Sequence, residues 1–287
     1  MVANRRTADC ANAARTFGYV ISHKRQRMCT IVILRRPGHP WPVLLAANRD
    51  EMSDRPWRAP ARHWPDRPEL VGGQDSLGGG TWLAVNDAGV VAAVLNRINT
   101  LGPAPGRRSR GELPLLALGH PCAEQAAASL ARVDPLAYRP FNMMVADHRH
   151  ALWIRGSDGS EASAAAPSVV VEPVPPGVSM ITAYDRNDLS SPRTRRYLFR
   201  FAAAPAPQPE TENWRDWIAL LASRDHDPDA GPGGAMTVVT ATGFGTLCAS
   251  LIALPAAGCG RRPIWLFASG RPGAEPFQPV ASSGRPL

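Results

Sequence analysis

The apolar positions of this chain come in short runs, and most of the runs come in pairs. CTIVIL (29–34) and WPVLLAA (41–47) are rich in β-formers and are joined by RRPGHP, whose Pro-Gly marks a tight connection. TWLAVND (81–87) and AGVVAAVLN (88–96) form a second predicted hairpin, turning at Asn86-Asp87-Ala88-Gly89. FNMMVAD (141–147) with HALWIRG (150–156), and GTLCASLIALP (245–255) with RPIWLFAS (262–269), form two more. SVVVEPV (168–174) and SMITAY (179–184) are further strands. Elsewhere the apolar spacing is helical. SRGELPLLAL (109–118) predicts a helix capped by Ser109, with Pro114 in its first turn. CAEQAAASLARV (122–133), PRTRRYLFRFAA (192–203) and ENWRDWIALLAS (212–223) predict three others. Pro192 suits a first helical position, and Trp214, Trp217, Leu220 and Leu221 share one side of the last helix. GGQDSLGGG (72–80) and LGPAPGRR (101–108) are expected as loops.

Hairpins at both ends with helices between them predict an α+β fold, with largely antiparallel sheets and helices outside. There is no internal repeat and no strand–helix alternation of the parallel kind. GGQDSLGGG lacks the Lys-Ser/Thr and the strand-to-helix setting of a phosphate-binding loop. One domain is expected over residues 28–270. Before it lies a basic extension or mis-called start at 1–27, and after it a frayed tail at 271–287.

Composition narrows the function classes. The 287 residues are 44% hydrophobic, enough for a substantial core, yet no run approaches the ~18 apolar residues of a membrane helix. The net charge is +8, but residues 1–27 hold six basic residues and one acid. Little excess remains, and no basic stripe interleaved with aromatics is present, so nucleic acid is not an expected partner. The five cysteines, Cys10, Cys29, Cys122, Cys248 and Cys259, show neither CxxC nor zinc-ligand spacing. They read as reduced thiols in a cytoplasmic protein, with no metal. The leader lacks the apolar core of a secretory signal.

Met28-Cys29 opens the first strand. If Met28 were the initiator, its removal would give Cys29 both a thiol and a free α-amine. Their ordinary pKa values, about 8.5 and about 8, lie close together and near working pH. One residue would then supply nucleophile and base. Antiparallel pairing returns AANRDEMSDRP (46–56) toward residue 29. Asp50 is the candidate anchor for the amine. Asn48 and Arg49 are candidates for binding substrate, and Asn96 for donating to an oxyanion. An Asn-Arg-Asp-Glu run after a strand is also the composition of a solvated turn, and a Met-Cys strand start also suits simple packing.

MCTIVIL, PVLLAANRDEMSDRP, GGQDSLGGGTWLAVNDAGVVAAVLN, SRGELP and GFGTLCASLIAL stand in an order that resembles the NRDE family, which includes the transport and Golgi organisation protein 2 group. The family's core motif is Asn48-Arg49-Asp50-Glu51 here, and its members typically begin Met-Cys. The same segments are distantly similar to the choloylglycine hydrolase and penicillin V acylase group. That resemblance implies an αββα sandwich of the N-terminal-nucleophile hydrolase type and amidohydrolase chemistry on a small amide. It implies Cys29, Asp50 and Asn96 as catalytic residues, with Arg193 and Asn187 added to the substrate-binding set. The arginine that precedes the asparagine in that group is Ala47 here, leaving Arg49 as the nearby cation. Asp75 and Arg110 match family blocks and read first as loop-fixing residues. The alternative implied by the Golgi-organisation group is a non-catalytic carrier of haem or lipid. Otherwise no cofactor is expected. The partner is a small molecule, without a membrane span, and the sequence does not set the oligomeric state.

Overall fold

The computed structural model describes residues 28–160 and 166–280. The expected extension at 1–27 and the end of the tail, 281–287, lie outside the described residues. The first hairpin is β1 (Thr30–Arg35) and β2 (Val43–Met52), registered so that Thr30 faces Asn48 and Arg35 faces Val43. Its apolar runs are continuous rather than alternating because both faces are covered. Ile31, Ile33, Val43 and Leu45 enter a core between two sheets, whereas Val32, Leu34, Leu44 and Ala46 enter a core under helices. Each fully buried Leu or Ile contributes about 1.5–3 kcal/mol.

Next come β3 (Trp57–Ala61), β4 (Leu70–Asp75), β5 (Leu83–Asn86) and β6 (Val91–Asn96). Two short helices follow, α1 (Glu112–Ala117) and α2 (Ala123–Leu130), and then the β7 (Phe141–Ala146) and β8 (Ala151–Ser157) hairpin. β9 (Ser168–Pro173) and β10 (Gly177–Ile181) are both strands, but they part company. β9 closes the seven-stranded sheet β3-β4-β5-β6-β7-β8-β9, and β10 crosses to pair with β1. Helices α3 (Pro192–Ala203) and α4 (Arg215–Ala222) precede β11 (Phe244–Leu254), β12 (Ile264–Ala268) and β13 (Gln278–Pro279). These complete a six-stranded sheet, β10-β1-β2-β11-β12-β13. The C-terminal segment thus continues as an edge strand on β12 rather than fraying at residue 271.

Ala123, Ala126 and Leu130 of α2 and Leu113 and Ala117 of α1 bury against the seven-stranded sheet. Tyr197, Leu198 and Phe201 of α3 and Trp217 and Leu221 of α4 bury against the other, with Phe201 edge-on to Trp217 at 5.4 Å. Among the described residues, all pairs of these strands are antiparallel. The order of layers is therefore αββα, as expected.

Two local expectations change. The GGQDSLGGG segment begins inside β4 rather than as a loop. Its glycines permit close packing, since a Cβ on Gly73 would stand 2.3 Å from the Trp82 ring and one on Gly72 2.5 Å from Ala84. Ser109 does not cap α1, where Gly111 occupies the cap position with no side-chain bond. The turn there is set instead by backbone contact with Gly80, where a Cβ would lie 2.4 Å from Gly111. The expected start holds at α3, where Pro192 takes the first helical position; Ser191, not an expected cap, accepts from Thr194 N–H.

Candidate active site around Cys29

Carrying the β1–β2 register one residue outward sets Cys29 beside Arg49, and Arg49 pairs with Cys248 on its other side. The three form a row across β1, β2 and β11. Cys29 and Cys248 are two strand spacings apart, about 9.6 Å, which is too far for a disulfide. Both are free thiols. A bulge between Thr246 and Cys248 shifts the register so that Thr246 sits opposite Asp50.

Strand alternation splits the candidates between two faces. Cys29 and Arg49 face the space between the sheets and line a cavity of about 690 Å³, along with Trp82, Val94, Leu95, Asn96 and Arg110. Arg49 is 5% exposed and lies over the Trp82 ring at 4.3 Å, a cation–π contact. Asn96 reaches the cavity wall from the end of β6, and its side chain has no hydrogen-bond partner among the described residues.

Asn48, Asp50 and Arg193 lie on the helix side. The Asn48 amide donates to the carbonyls of Leu221 (3.1 Å) and Met236 (3.0 Å), which ties β2 to α4. The Asp50 carboxylate accepts from Thr246 Oγ1 at 2.6 Å and lies 2.9 Å from Arg193 Nη1, both side chains being wholly buried. The same Nη1 donates to the Met28 carbonyl at 2.6 Å and to Thr30 Oγ1 at 2.7 Å, while Nη2 donates to Gly233 O at 3.0 Å. Arg193 is thus a positioning residue beneath the Met28–Cys29 peptide, closed off from the cavity. Asn187 lies elsewhere, at positive φ, where its side chain accepts from Met180 N–H and pins a turn against β10.

The electrostatics follow from burial. Burial pushes the Asp50 carboxyl above its ordinary range, opposed by the charge of Arg193 and the Thr246 hydroxyl. Burial, and then the Asp50 charge, push the Cys29 thiol up to about 12. With Met28 attached, Cys29 is therefore a protonated, weakly nucleophilic thiol at neutral pH. Its sulfur accepts from Asp50 N–H at 3.4 Å, which holds the side chain toward the cavity.

Three contributors carry little signal in the sequence. Thr246 shows only as part of the Gly245-Thr246 family block, and its role depends on a bulge. Trp82 is the platform for Arg49, a pairing between sheets. Arg139 lines the cavity from a loop far from every motif. Among the described residues, no cluster of three or more His, Cys, Asp or Glu side chains could hold a metal ion. Likewise no helix among them is long and apolar enough to cross a membrane.

The sequence profile of the family described as Transport and Golgi organisation 2 matches residues 28–182. A Transport and Golgi organization protein 2 homolog from Bos taurus is 34% identical over 110 residues, 37% of this chain. A Transport and Golgi organization 2 homolog from Mus musculus is 32% identical over 108 residues, again 37% of this chain. The chain spans 38% of the length of these curated relatives. Among solved structures, the Caenorhabditis elegans N-acylethanolamine-hydrolyzing acid amidase (NAAA) ortholog aligns with a TM-score of 0.45 at 10% identity, over 78% of this chain and 92% of that one. With the NRDE segment on the second strand, the cysteine just before the first, and a profile match over more than half of its length, this chain belongs to the Transport and Golgi organisation 2 family.

Proposed function

We propose that the chain is an N-terminal-cysteine amidohydrolase acting on a small amide, with Cys29 as its nucleophile once Met28 has been removed. The observation that carries this reading is the use of one guanidinium nitrogen by three groups. Arg193 Nη1 holds the Met28 carbonyl, the Thr30 hydroxyl and the Asp50 carboxylate together, while the Cys29 sulfur faces the cavity. Removing Met28 would free the Cys29 α-amine on the side of the buried Asp50 carboxylate, which would anchor it by accepting its N–H.

In the reaction, the neutral α-amine takes the Cys29 thiol proton and the thiolate attacks the amide carbonyl carbon. The oxyanion accepts a hydrogen bond from the Asn96 side-chain amide. On collapse the C–N bond breaks, the α-ammonium returns its proton to the leaving amine, and a thioester remains on Cys29. Water, deprotonated by the same amine, hydrolyses the thioester to a carboxylic acid and restores the thiol.

The test is intact-mass spectrometry of protein beginning at Cys29 during turnover of a panel of amides. The expected result is a thioester adduct on wild-type protein and none on Cys29→Ala. Absence of both adduct and hydrolysis across the panel would sink the proposal. Haem or lipid binding that survives Cys29→Ala would then replace catalysis by carriage.

A further inference from the structure

The Cys29 cavity has a charge imbalance that amide hydrolysis alone does not explain. Six arginines line it: Arg49, Arg55, Arg107, Arg108, Arg110 and Arg139. The acids in its wall are Glu51 and Asp75. Three of the arginines have carboxylate partners. Arg55 pairs with Asp75 at 2.7 Å and reaches Glu51 at 3.9 Å, Arg107 pairs with Asp158 at 3.4 Å, and Arg108 pairs with Glu112.

The other three, Arg49, Arg110 and Arg139, have no carboxylate partner among the described residues. Arg110 Nη1 donates to Thr100 Oγ1 and to Pro140 O, both at 2.9 Å. Its Nε and Nη2 bond to no described residue and are not sealed from solvent. Arg139 donates to the carbonyls of Asn99, Leu101, Gly102 and Pro103. The two guanidiniums are thus fixed on one wall by neutral acceptors, and their charges stay uncompensated. Burial and then the Arg139 charge push Arg110 down to about 10, with Cys29 and Glu51 acting in the opposite direction.

Arg49 gives an independent sign. It is 5% exposed, its Nη1 has no hydrogen-bond partner, and it lines the same cavity. A buried cation without a counter-charge costs several kcal/mol, and an anionic ligand removes that cost. The open Nε–Nη2 edge of a guanidinium matches two oxygens of a carboxylate or phosphate.

We infer that Arg110 and Arg139 form an anion subsite in the Cys29 cavity, and that the molecule accepted there carries a carboxylate or phosphate-like group. Taken as substrate, that molecule is an amide with its anionic group remote from the bond that breaks. This second step rests on the amidohydrolase reading, whereas the subsite itself does not.

Calorimetric titration of the full chain, carrying Cys29→Ala to keep probes intact, separates the two. The probes are N-phenylacetylglycine, its phosphonate analogue N-phenylacetyl-aminomethylphosphonate, and the neutral phenylacetylglycinamide. At least one anion is expected to bind tenfold or more tighter than the neutral probe, and the preferred anion identifies the group. Arg110→Gln and Arg139→Gln should each remove that advantage and leave neutral-probe affinity unchanged, with Arg110→Lys intermediate. Arg139→Gln guards against loop disruption in the Arg110 variant. Equal affinity for all three probes, equal losses for anion and neutral, or no anion binding at millimolar concentration would overturn the subsite. Anion binding without hydrolysis by protein beginning at Cys29 would remove the enzyme reading and leave the subsite. Hydrolysis that ignores the anionic group would do the reverse.

Discussion

Replacing Arg193 by Met tests the buried assembly beneath Cys29. The substitution keeps an unbranched, apolar stem in α3 but removes the guanidinium. Asp50 is then a wholly buried carboxylate whose Thr246 hydrogen bond is its remaining partner, and the carbonyls of Met28 and Gly233 lose their donor. Breaking a buried pair from one side costs about 3–5 kcal/mol. For a domain of this size that is a fall in melting temperature of roughly 6–20 °C. The pH dependence is the sharper readout. Burial already raises Asp50 in the folded protein, so its contribution to stability is present below its unfolded value of about 4 and is lost as pH rises through the folded value. Without Arg193 the folded value climbs further. The gap between wild type and Arg193→Met should therefore widen from pH 4 to pH 8, from about 1–3 kcal/mol for lost hydrogen bonds to about 3–5 kcal/mol. Urea denaturation across that range measures it, and Asp50→Leu/Arg193→Met should lose much less than the two single variants added. A gap that is flat with pH, or a loss below about 1 kcal/mol at pH 8, would refute the reasoning.

Three further outcomes follow from the same geometry. In the full chain at pH 7.5, iodoacetamide should modify exposed Cys259 readily and leave Cys29 almost untouched, because burial holds that thiol up at about 12; peptide mapping reads both sites, and equal labelling would contradict the assignment. Gly80→Ala should cost about 1–3 kcal/mol in urea denaturation, since its Cβ would meet the Gly111 backbone at 2.4 Å, and wild-type stability would remove the proposed close approach. Trp82→Leu should cost about 0.5–2 kcal/mol more in wild type than in an Arg49→Met background, the difference being the Arg49 contact; additive losses would show that the ring does not support the guanidinium.

What could be read from the sequence follows the physics of each element. The four hairpins were legible because two-sided burial writes itself as unbroken apolar runs with turn residues between them. β3 and β4 were not, because WRAPA is a half-exposed edge strand and LVGGQD owes its glycines to the Trp82 ring and Ala84 on a neighbouring strand. The return of Asp50 toward Cys29 was legible from antiparallel pairing alone. Which face each residue takes is set by alternation along β2, so Asn48 goes to α4 and Arg49 to the cavity, while the bulge after Thr246 in β11 brings that hydroxyl to Asp50. Arg193 shows in the sequence only through the family resemblance. Its partners, Met28, Thr30, Asp50 and Gly233, are distant in the chain, and no local pattern announces them. Arg139 left no trace, because what holds it is a set of loop carbonyls.

The central claim is that Cys29 acts with a free α-amine. N-terminal sequencing, with intact mass, of the protein purified from its own cells tests this most directly. The account predicts a mature chain that begins at Cys29. A mature, functional protein that retains Met28 or any of the residues before it would contradict the account, because Cys29 would carry an amide where the chemistry needs an amine.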